Sequence, residues 1–470
     1  MRRNENTALQ KRTPIAAQPT GVDTSLLYEE FRRQFQASRK PVNTDFRALV
    51  RWVKLGDQRT HLIHSYPAKL LAHIANFFVH ASSLSAANSL VLDPFCGSGT
   101  VALEASMSGR QALVADANPM ARLLTRVKTT PYSPEKLLTE ATEILRRARR
   151  YRTAPAIDIV NSALWYSVSR KKELEILRRA VFEVKDNATR DFFLVCFSVT
   201  CRKLSYADPA ISVPVRLKTR AGRTPAANKK IKQRLKKINS ADHLEEFGNI
   251  CLGNIQRIAR TNTEFPGRAV ARSVGDDARS LVDEQGHPLA TGTIDLVITS
   301  PPYGSAQKYV RSMSLSLNWL GFASPQQLST VEQKTIGREH LPQHASTSNP
   351  VQKFSQSFEE FLGKIEKTHP LRARINRTYL SELRSSLHEI SRVVAFGGHA
   401  VIIIGNNTVC GHVMTTEQFI TECMDEFGMP LELHLTDSIK SRGLLTKRNG
   451  GSAAIARESI LVFKKAPQCR

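Results

Sequence analysis

The chain alternates short apolar runs with amphipathic stretches, which is the pattern of a sheet whose strands are joined by helices. Helical patterns lie between the early apolar runs, so we expect a mostly parallel sheet with helices on both faces. The pattern therefore predicts an α/β fold with a doubly wound sheet. The predicted strands lie at 88–93, 111–116, 270–275, 294–299, 399–405, 430–437 and 459–465.

A long segment at 128–269 separates the second predicted strand from the third and exceeds the length of an ordinary crossover. It begins with Ser133 as a helix N-cap, Pro134 in the first turn and apolar residues at helical spacing from Leu137 onward. We therefore predict a large, mainly helical insertion. The chain then has four parts: an arm with helices at 1–60, half of the sheet domain at 61–127, the insertion at 128–269 and the second half at 270–470.

The net charge of the chain indicates what kind of partner it binds. The 470 residues include 67 Lys and Arg against 42 Asp and Glu, which gives a net charge of +25. Such an excess favours a polyanionic partner, nucleic acid ahead of an anionic membrane surface. Within the insertion, 211–240 has ten cations and no acid, and in so basic a chain this run favours contact with phosphates over a merely solvated face.

Seven cysteines are scattered without a CxxC pair, which indicates reduced thiols of the kind found in the cytosol. No apolar run reaches the length of a membrane span, and the N-terminal residues lead into no signal-peptide core. We expect a soluble cytoplasmic protein without a membrane partner. His61 and His64 have a spacing that could begin a metal site, but no second ligand pair follows, and no metal is predicted.

The first strand runs into the sequence DPFCGSGT at 93–100, which predicts a strand end, a glycine turn and the start of a helix. Gly97 and Gly99 allow a tight turn and close approach of a ligand. The turn lacks the lysine of a phosphate-binding P-loop. The second strand ends in Asp116, 23 positions after Asp93, which suits a carboxylate that binds ribose hydroxyls.

Two ligands are compatible with this turn. NAD stays open, although Asp93 and Phe95 would lie awkwardly beside its pyrophosphate. An acid at the end of the first strand suits a ligand with an ammonium group instead. S-adenosylmethionine has that group and a ribose for Asp116.

The fourth strand, at 294–299, ends in TSPPY at 299–303. The two prolines fix φ and have no N–H donor, which leaves a serine oxygen, bare carbonyls and a flat ring at the strand end. Such a loop can hold a planar amine by hydrogen bonds and stack on it. Taken alone, the same five residues would more simply be a loop that ends a strand.

Taken together, the segments 93–100 and 299–303 resemble two motifs of the DNA amino-methyltransferase family, which methylates cytosine N4 or adenine N6. The segments 64–69, 116–119 and 274–279 are similar to further motifs of that family, and the resemblance covers 60–127 and 270–465. It implies a class I methyltransferase, Rossmann-like sheet of seven strands with the last one antiparallel. It also implies S-adenosylmethionine as cofactor and double-stranded DNA as partner.

The resemblance also implies roles for single residues and for the parts of the chain. The Ser300 hydroxyl and the Pro301 carbonyl would hold the amine of a flipped base, and Tyr303 would stack on the base. The implied catalytic residues are Ser300, Pro301, Pro302 and Tyr303. The implied cofactor-binding residues are Tyr66, Asp93, Phe95, Gly97, Gly99, Thr100, Asp116, Asn118, Asp276 and Asp277. The candidate DNA-binding residues are Arg216, Lys218, Arg220, Arg223, Lys229 and Lys230. The segment 61–127 would then bind the cofactor, and 270–470 would hold the catalytic half. The target-recognition element would lie in the insertion or between Gly304 and about Thr378, and we favour the insertion.

Ser300 favours cytosine N4, because adenine enzymes of this family commonly have Asp or Asn at that position. Three alternatives remain: an adenine-N6 DNA methyltransferase, an RNA guanine-N2 methyltransferase, and a catalytically silent DNA-binding subunit. A DNA methyltransferase of a restriction–modification system would have a cognate restriction endonuclease as its functional partner.

Overall fold

The computed structural model describes residues 22–53, 59–67, 69–304, 308–341, 353–438 and 457–467. Ala68 of the segment 64–69, Cys469 and positions 1–21 of the N-terminal arm lie outside these residues. The strands form an eight-stranded mixed sheet and a separate two-stranded hairpin. The strands are β1 (Val42–Thr44), β2 (Leu90–Asp93), β3 (Gln111–Val114), β4 (Arg272–Ser273), β5 (Ile294–Thr299), β6 (Val394–Ile404), β7 (Asn407–Val409), β8 (His412–Met414), β9 (Leu431–Ser438) and β10 (Arg457–Lys464).

The strand order of the large sheet is β4-β3-β2-β5-β6-β10-β9-β1. All neighbours are parallel except β10, which is antiparallel to both β6 and β9. This is the doubly wound class I methyltransferase sheet that the sequence predicts, with its last strand inserted antiparallel. All seven predicted strands are present, and the sheet positions the ends of β2, β3 and β5 along one edge.

The predicted count of seven strands is wrong, because β1 adds an eighth strand at the edge of the sheet, parallel to β9. Its three residues, Val42, Asn43 and Thr44, have no apolar alternation, and they form a strand only by pairing with β9, almost 400 positions away. The third strand is shorter than predicted. It ends at Ser273 because Gly275 adopts a φ of +107° and turns the chain.

The helices cover both faces of the sheet and form the insertion. Their bounds are α1 (Ser25–Ser38), α2 (Phe46–Leu49), α3 (Ala72–Val79), α4 (Thr100–Met107), α5 (Pro119–Thr129), α6 (Pro134–Arg150), α7 (Ser162–Trp165), α8 (Val168–Phe182), α9 (Asn187–Lys203), α10 (Pro225–Ser240), α11 (His243–Glu264), α12 (Tyr309–Leu320), α13 (Leu328–Lys334), α14 (Gln356–Glu366), α15 (Pro370–Val393) and α16 (Thr416–Glu426). A short 3-10 helix occupies Thr60–Leu62. Side chains that alternate along the strands, such as Val91 and Leu92, pack into separate cores on the two faces.

The insertion consists of α6 to α11, which confirms the predicted helical character. Ser133 caps α6 by accepting a hydrogen bond from the Lys136 N–H group. The insertion shares a third core with α5 and α12 of the sheet domain. There Trp319 of α12 packs edge-on against Tyr166 and Phe197. The insertion is therefore attached to the helix that follows the TSPPY loop.

Two further expectations concern the chain as a whole. None of the helices in the described ranges combines the length and the apolar character that a membrane crossing requires. The six cysteines within these ranges are free thiols.

Candidate active site

The two sequence motifs meet at the carboxyl-terminal edge of the sheet. Asp93 is the last residue of β2 and Thr299 the last residue of β5, and these strands are parallel neighbours. The Thr299 hydroxyl donates a hydrogen bond to Asp93 Oδ1 at 2.7 Å. The glycine turn and the TSPPY loop therefore begin from adjacent points of one edge.

Asp93 is a buried carboxylate, with only 4% of its surface exposed. It accepts a second hydrogen bond from the Phe95 N–H group at 3.2 Å. Burial raises the pKa of Asp93 to about 7, against the opposing effect of the Thr299 hydrogen bond. A carboxylate in this state favours a cationic group beside it, which fits the ammonium end of S-adenosylmethionine.

The glycine turn is fixed by close packing against α5. Gly99 has a φ of +72°, and a Cβ atom there would lie 2.6 Å from Thr125 Oγ1 and 2.9 Å from Thr125 Cα. Gly97 has a φ of +46° and donates its N–H group to Asp116 Oδ2 at 2.8 Å. Thr100, which is 2% exposed, shares a hydrogen bond with the Ser98 hydroxyl and supports the turn from the protein side.

Asp116 forms the second acidic position of the site. Its Oδ1 accepts a hydrogen bond from the Asn118 N–H group at 2.8 Å, and burial raises its pKa. Asn118 caps α5 through the Met120 N–H group and donates to the Tyr66 hydroxyl at 3.2 Å. Each carboxylate oxygen of Asp116 has a further lone pair for a ligand hydroxyl. The structure thus brings Tyr66, Asp116 and Asn118 together.

The two predicted acids after β4 are engaged in ion pairs. Asp277 contacts the Arg279 guanidinium at 2.8 Å, and Arg279 reaches Glu382 at 3.0 Å. Asp276 contacts Lys334 of α13 at 3.1 Å, and its side chain is 45% exposed. Asp276 is therefore the more accessible of the two, whereas Asp277 is held by its own neighbour.

The TSPPY loop is held by three other elements. The Tyr379 hydroxyl of α15 donates to the Pro302 carbonyl at 3.1 Å, and the Asn407 side chain of β7 donates to the Gly304 carbonyl. A Cβ atom at Gly304 would lie 2.8 Å from the Tyr379 ring, so the chain leaves the loop in close contact with α15. The Tyr303 hydroxyl donates to Glu458 Oε1 of β10 at 3.0 Å.

Several residues of the site were missed by the sequence analysis. Lys128 of α5 is fully buried and donates to the Ser98 carbonyl at 2.6 Å, and burial lowers its pKa well below the usual range. Thr299 directly precedes Ser300 at the end of β5, so its position at the strand end could have indicated that it belongs to the site. Glu458 comes from a strand with no recognised motif, and nothing in its local sequence indicates its contact with Tyr303.

The candidate DNA-binding residues lie on α10 and on the segment before it. Ile231 and Ile238 form the buried side of α10, and Lys229 and Lys230 are exposed. Arg216 lies over the Tyr206 ring, with 5.3 Å between the guanidinium carbon and the ring centroid. Lys218, Arg220 and Arg223 are exposed in the preceding segment. Within the described ranges, none of these six cations forms an ion pair with an acid.

Two sequence comparisons relate the chain to known proteins. The family model "UPF0020: RMKL-like, methyltransferase domain" matches residues 59–190, which include the glycine turn and the first helices of the insertion. The type II methyltransferase M.MvaI of Kocuria varians is 22% identical over 391 residues, which are 79% of this chain and 82% of the relative.

Solved structures give weaker alignments. TTHA0409 of Thermus thermophilus, a candidate DNA modification methylase, is 17% identical with a TM-score of 0.20. It has also been crystallised with S-adenosyl-L-methionine. This alignment covers 38% of the present chain and 50% of TTHA0409. The rRNA methyltransferase aviRa of Streptomyces viridochromogenes is 12% identical with a TM-score of 0.31, and covers 88% of this chain and 94% of aviRa. Scores this low support no inference.

The strand order and the sequence matches, in contrast, indicate the fold class and the family resemblance of the chain. The sheet has the class I order with its antiparallel last strand. A methyltransferase domain matches across the glycine turn. The predicted resemblance to the DNA amino-methyltransferase family is thereby confirmed: the chain has the fold of a class I S-adenosylmethionine-dependent methyltransferase and is similar over 79% of its length to a type II methyltransferase.

Proposed function

We propose that this protein is a site-specific DNA methyltransferase that modifies the exocyclic amine of a flipped base, cytosine N4. The observation that carries the proposal is the hydrogen bond between Thr299 and Asp93, because it joins the cofactor turn to the TSPPY loop. The similarity to a type II methyltransferase supports DNA as the substrate.

The cofactor would lie along the ends of β2 and β3. S-adenosylmethionine, when bound, supplies a methyl group on a sulfonium that is open to in-line attack. Asp93 would receive the ammonium group, and the Asp116 lone pairs would receive the ribose hydroxyls. Gly97 would allow the backbone to lie close to the ligand, and Tyr66 would close the side near Asn118. Asp276, exposed after β4, would face the adenine.

The TSPPY loop would prepare the amine. An amine conjugated to a base ring is a poor nucleophile, because its lone pair is delocalised into the ring. Acceptors on its two hydrogens favour a tetrahedral nitrogen with a localised lone pair, and the Ser300 hydroxyl and the Pro301 carbonyl supply such acceptors. Tyr303 would stack on the base, a contact worth about 1–3 kcal/mol in comparable cases. The target base must leave the duplex to reach this loop.

The insertion would recognise the target sequence, and its basic face would contact phosphates. This proposal is supported by the exposed cations at 216–230 and by the packing of the insertion on α12 next to the TSPPY loop. We also propose a cognate restriction endonuclease as functional partner, because the family resemblance implies one. Protection of modified DNA from cleavage by such a nuclease would test that pairing.

The decisive experiment identifies the modified nucleoside. DNA and RNA, each incubated with the protein and labelled S-adenosylmethionine, are digested to nucleosides and separated by mass. We expect N4-methylcytosine in DNA and no labelled RNA nucleoside. N6-methyladenine alone would contradict the cytosine assignment, and label in RNA only would favour an RNA guanine-N2 methyltransferase. Ser300→Ala should abolish labelling, while a silent DNA-binding subunit would give no label in any sample.

A further inference from the structure

Two carboxylates reach the active edge of the sheet from strands that contain no recognised motif. Because β10 is antiparallel to β6, its first residues lie at the same edge as the last residues of β5 and β6. Glu458 is the second residue of β10, and its direct partner in the sheet is Asp437, near the end of β9. This edge is the one at which the TSPPY loop begins.

Glu458 contacts the TSPPY loop through the hydroxyl group of Tyr303. The Tyr303 hydroxyl donates to Glu458 Oε1 at 3.0 Å. Burial raises the pKa of Tyr303, the charge of Glu458 adds to this effect, and the neighbouring Ser300 side chain opposes it. The Tyr303 hydroxyl therefore lies between the Ser300 side chain and the Glu458 carboxylate, and we call these three polar groups the row.

The charged neighbours of Glu458 come from two elements, β9 and α2. Asp437 is the register partner of Glu458 on the neighbouring strand β9 and is 4% exposed. Arg47 of α2 is close to both acids. Burial raises the pKa of Glu458, the Tyr303 hydrogen bond lowers it, the Asp437 charge raises it and the Arg47 charge lowers it. Glu458 therefore remains protonated to a higher pH than an ordinary glutamate does.

We propose that Glu458 is a positioning residue for methyl transfer, an inference that rests on the proposed function. An ionised carboxylate is an acceptor only, so it takes the hydrogen of the Tyr303 hydroxyl. The Tyr303 oxygen is then left to accept the Ser300 hydrogen. The lone pairs of Ser300 are left to accept a hydrogen of the target amine. Glu458 thus determines the direction in which the hydroxyl hydrogens of the row point, and it also holds the Tyr303 ring in place.

Protonation of Glu458 removes this control. A protonated carboxyl group is itself a donor, so the row can reverse and turn the Ser300 hydrogen toward the target amine, where it repels the amine hydrogens. Methyl transfer should therefore slow as the pH falls through the pKa of Glu458. Above that pH the rate should be constant with respect to this group.

The test measures the single-turnover rate of DNA methylation at saturating cofactor and DNA, between about pH 5.5 and 8.5. The Glu458→Ala variant should be slower by about 10- to 100-fold, with cofactor affinity changed less than about two-fold. The Glu458→Gln variant keeps an acceptor oxygen without a titrating group. It should therefore retain more activity than the alanine variant and lose the acidic limb of the profile.

A double variant tests whether Glu458 acts through Tyr303. The combination Tyr303→Phe with Glu458→Ala should be no slower than the slower of the two single variants. Asp437→Asn is the matched control, because it removes the facing charge and leaves the Tyr303–Glu458 hydrogen bond. It should shift the acidic limb to lower pH. Thermal midpoints of all variants report whether folding is intact.

The outcomes separate this inference from the proposed function. A wild-type protein that methylates no DNA would overturn both. With an active wild-type protein, a folded Glu458→Ala variant that has an unchanged rate and pH profile would overturn the inference alone. A further loss of rate in the double variant would also overturn it, because Glu458 would then act independently of Tyr303.

Discussion

The hydroxyl of Thr299 donates a hydrogen bond to Asp93 at 2.7 Å, although 206 positions separate the two residues in the chain. Both residues are almost completely buried, at 0% and 4% exposure. The contact links the strand end that would hold the cofactor to the strand end that would hold the target base. The charge of Asp93 and the position of the TSPPY loop therefore depend on the same hydroxyl.

Replacement of Thr299 by Val should weaken cofactor binding in a pH-dependent way. The hydrogen bond lowers the pKa of Asp93, which burial holds at about 7, so its loss should raise that pKa further. Because the cofactor ammonium requires an ionised carboxylate, affinity at neutral pH should fall by about 5- to 30-fold. Titration calorimetry across pH should show that the variant needs a higher pH than the wild type to reach half of its maximal cofactor affinity. Thr299→Ser retains the hydroxyl and should resemble the wild type, and equal midpoints for Val and Ser would contradict the argument.

Replacement of Asp93 by Asn should stabilise the ligand-free protein above neutral pH. The pKa of Asp93 is about 7 in the folded chain against 3.8 for an ordinary aspartate, so folding favours the protonated acid. The stability from this group is present at low pH and is lost as the pH rises from about 4 to 7. Asn cannot ionise and keeps an acceptor oxygen for Thr299.

At pH 8 the Asp93→Asn variant should therefore have a higher thermal midpoint than the wild type. Its free energy of unfolding should be larger by about 1–3 kcal/mol. The difference should vanish near pH 4. Differential scanning calorimetry at both pH values measures this, and the same samples should show loss of cofactor binding. A variant less stable than the wild type at pH 8 would mean that the charge of Asp93 is compensated in the ligand-free protein.

Replacement of Gly99 by Ala should cost more stability than replacement of Gly109 by Ala. Both glycines have positive φ, at +72° and +80°, so both substitutions carry backbone strain of about 1–2 kcal/mol. Only Gly99 lies against a neighbour, because its Cβ atom would meet the backbone of Thr125 at 2.9 Å, whereas nothing lies within 4 Å at Gly109. Overpacking at Gly99 should add about 1–3 kcal/mol. Urea unfolding of both variants measures the difference, and equal losses would show that α5 moves aside at no cost.

The sequence predicts those parts of the site that lie directly at strand ends. Asp93 and Ser300 follow apolar runs that fix their strands, and parallel strands bring such ends to one edge. Lys128 and Glu458 could not be predicted in the same way. The first is a helix residue of ordinary type whose role depends on burial against Ser98, and the second needs the antiparallel insertion of β10.

The bounds of single strands likewise differ in how well the sequence predicts them. The strand β5 has the predicted bounds of 294–299, because six mostly apolar residues stop at two prolines. The strand β1 was missed, because three residues without apolar alternation form it only through pairing with β9. Local pattern therefore predicts the central strands, whereas edge strands depend on partners that the local sequence does not contain.

Neutralisation of Lys229 and Lys230 should weaken DNA binding and reduce its dependence on salt. Both side chains are exposed on α10, whose buried side holds Ile231 and Ile238, so Gln at these positions leaves the helix packing intact. Each phosphate contact adds about 0.9 to the slope of log affinity against log salt concentration. Loss of two contacts should reduce that slope by about 1.8 and weaken binding to all sequences alike. Lys364 and Lys367, exposed in or just after α14, provide the matched control pair. Fluorescence anisotropy over a salt series measures both slopes. An unchanged slope for the α10 pair, or an equal change for the control pair, would show that this face of the insertion does not contact the DNA backbone.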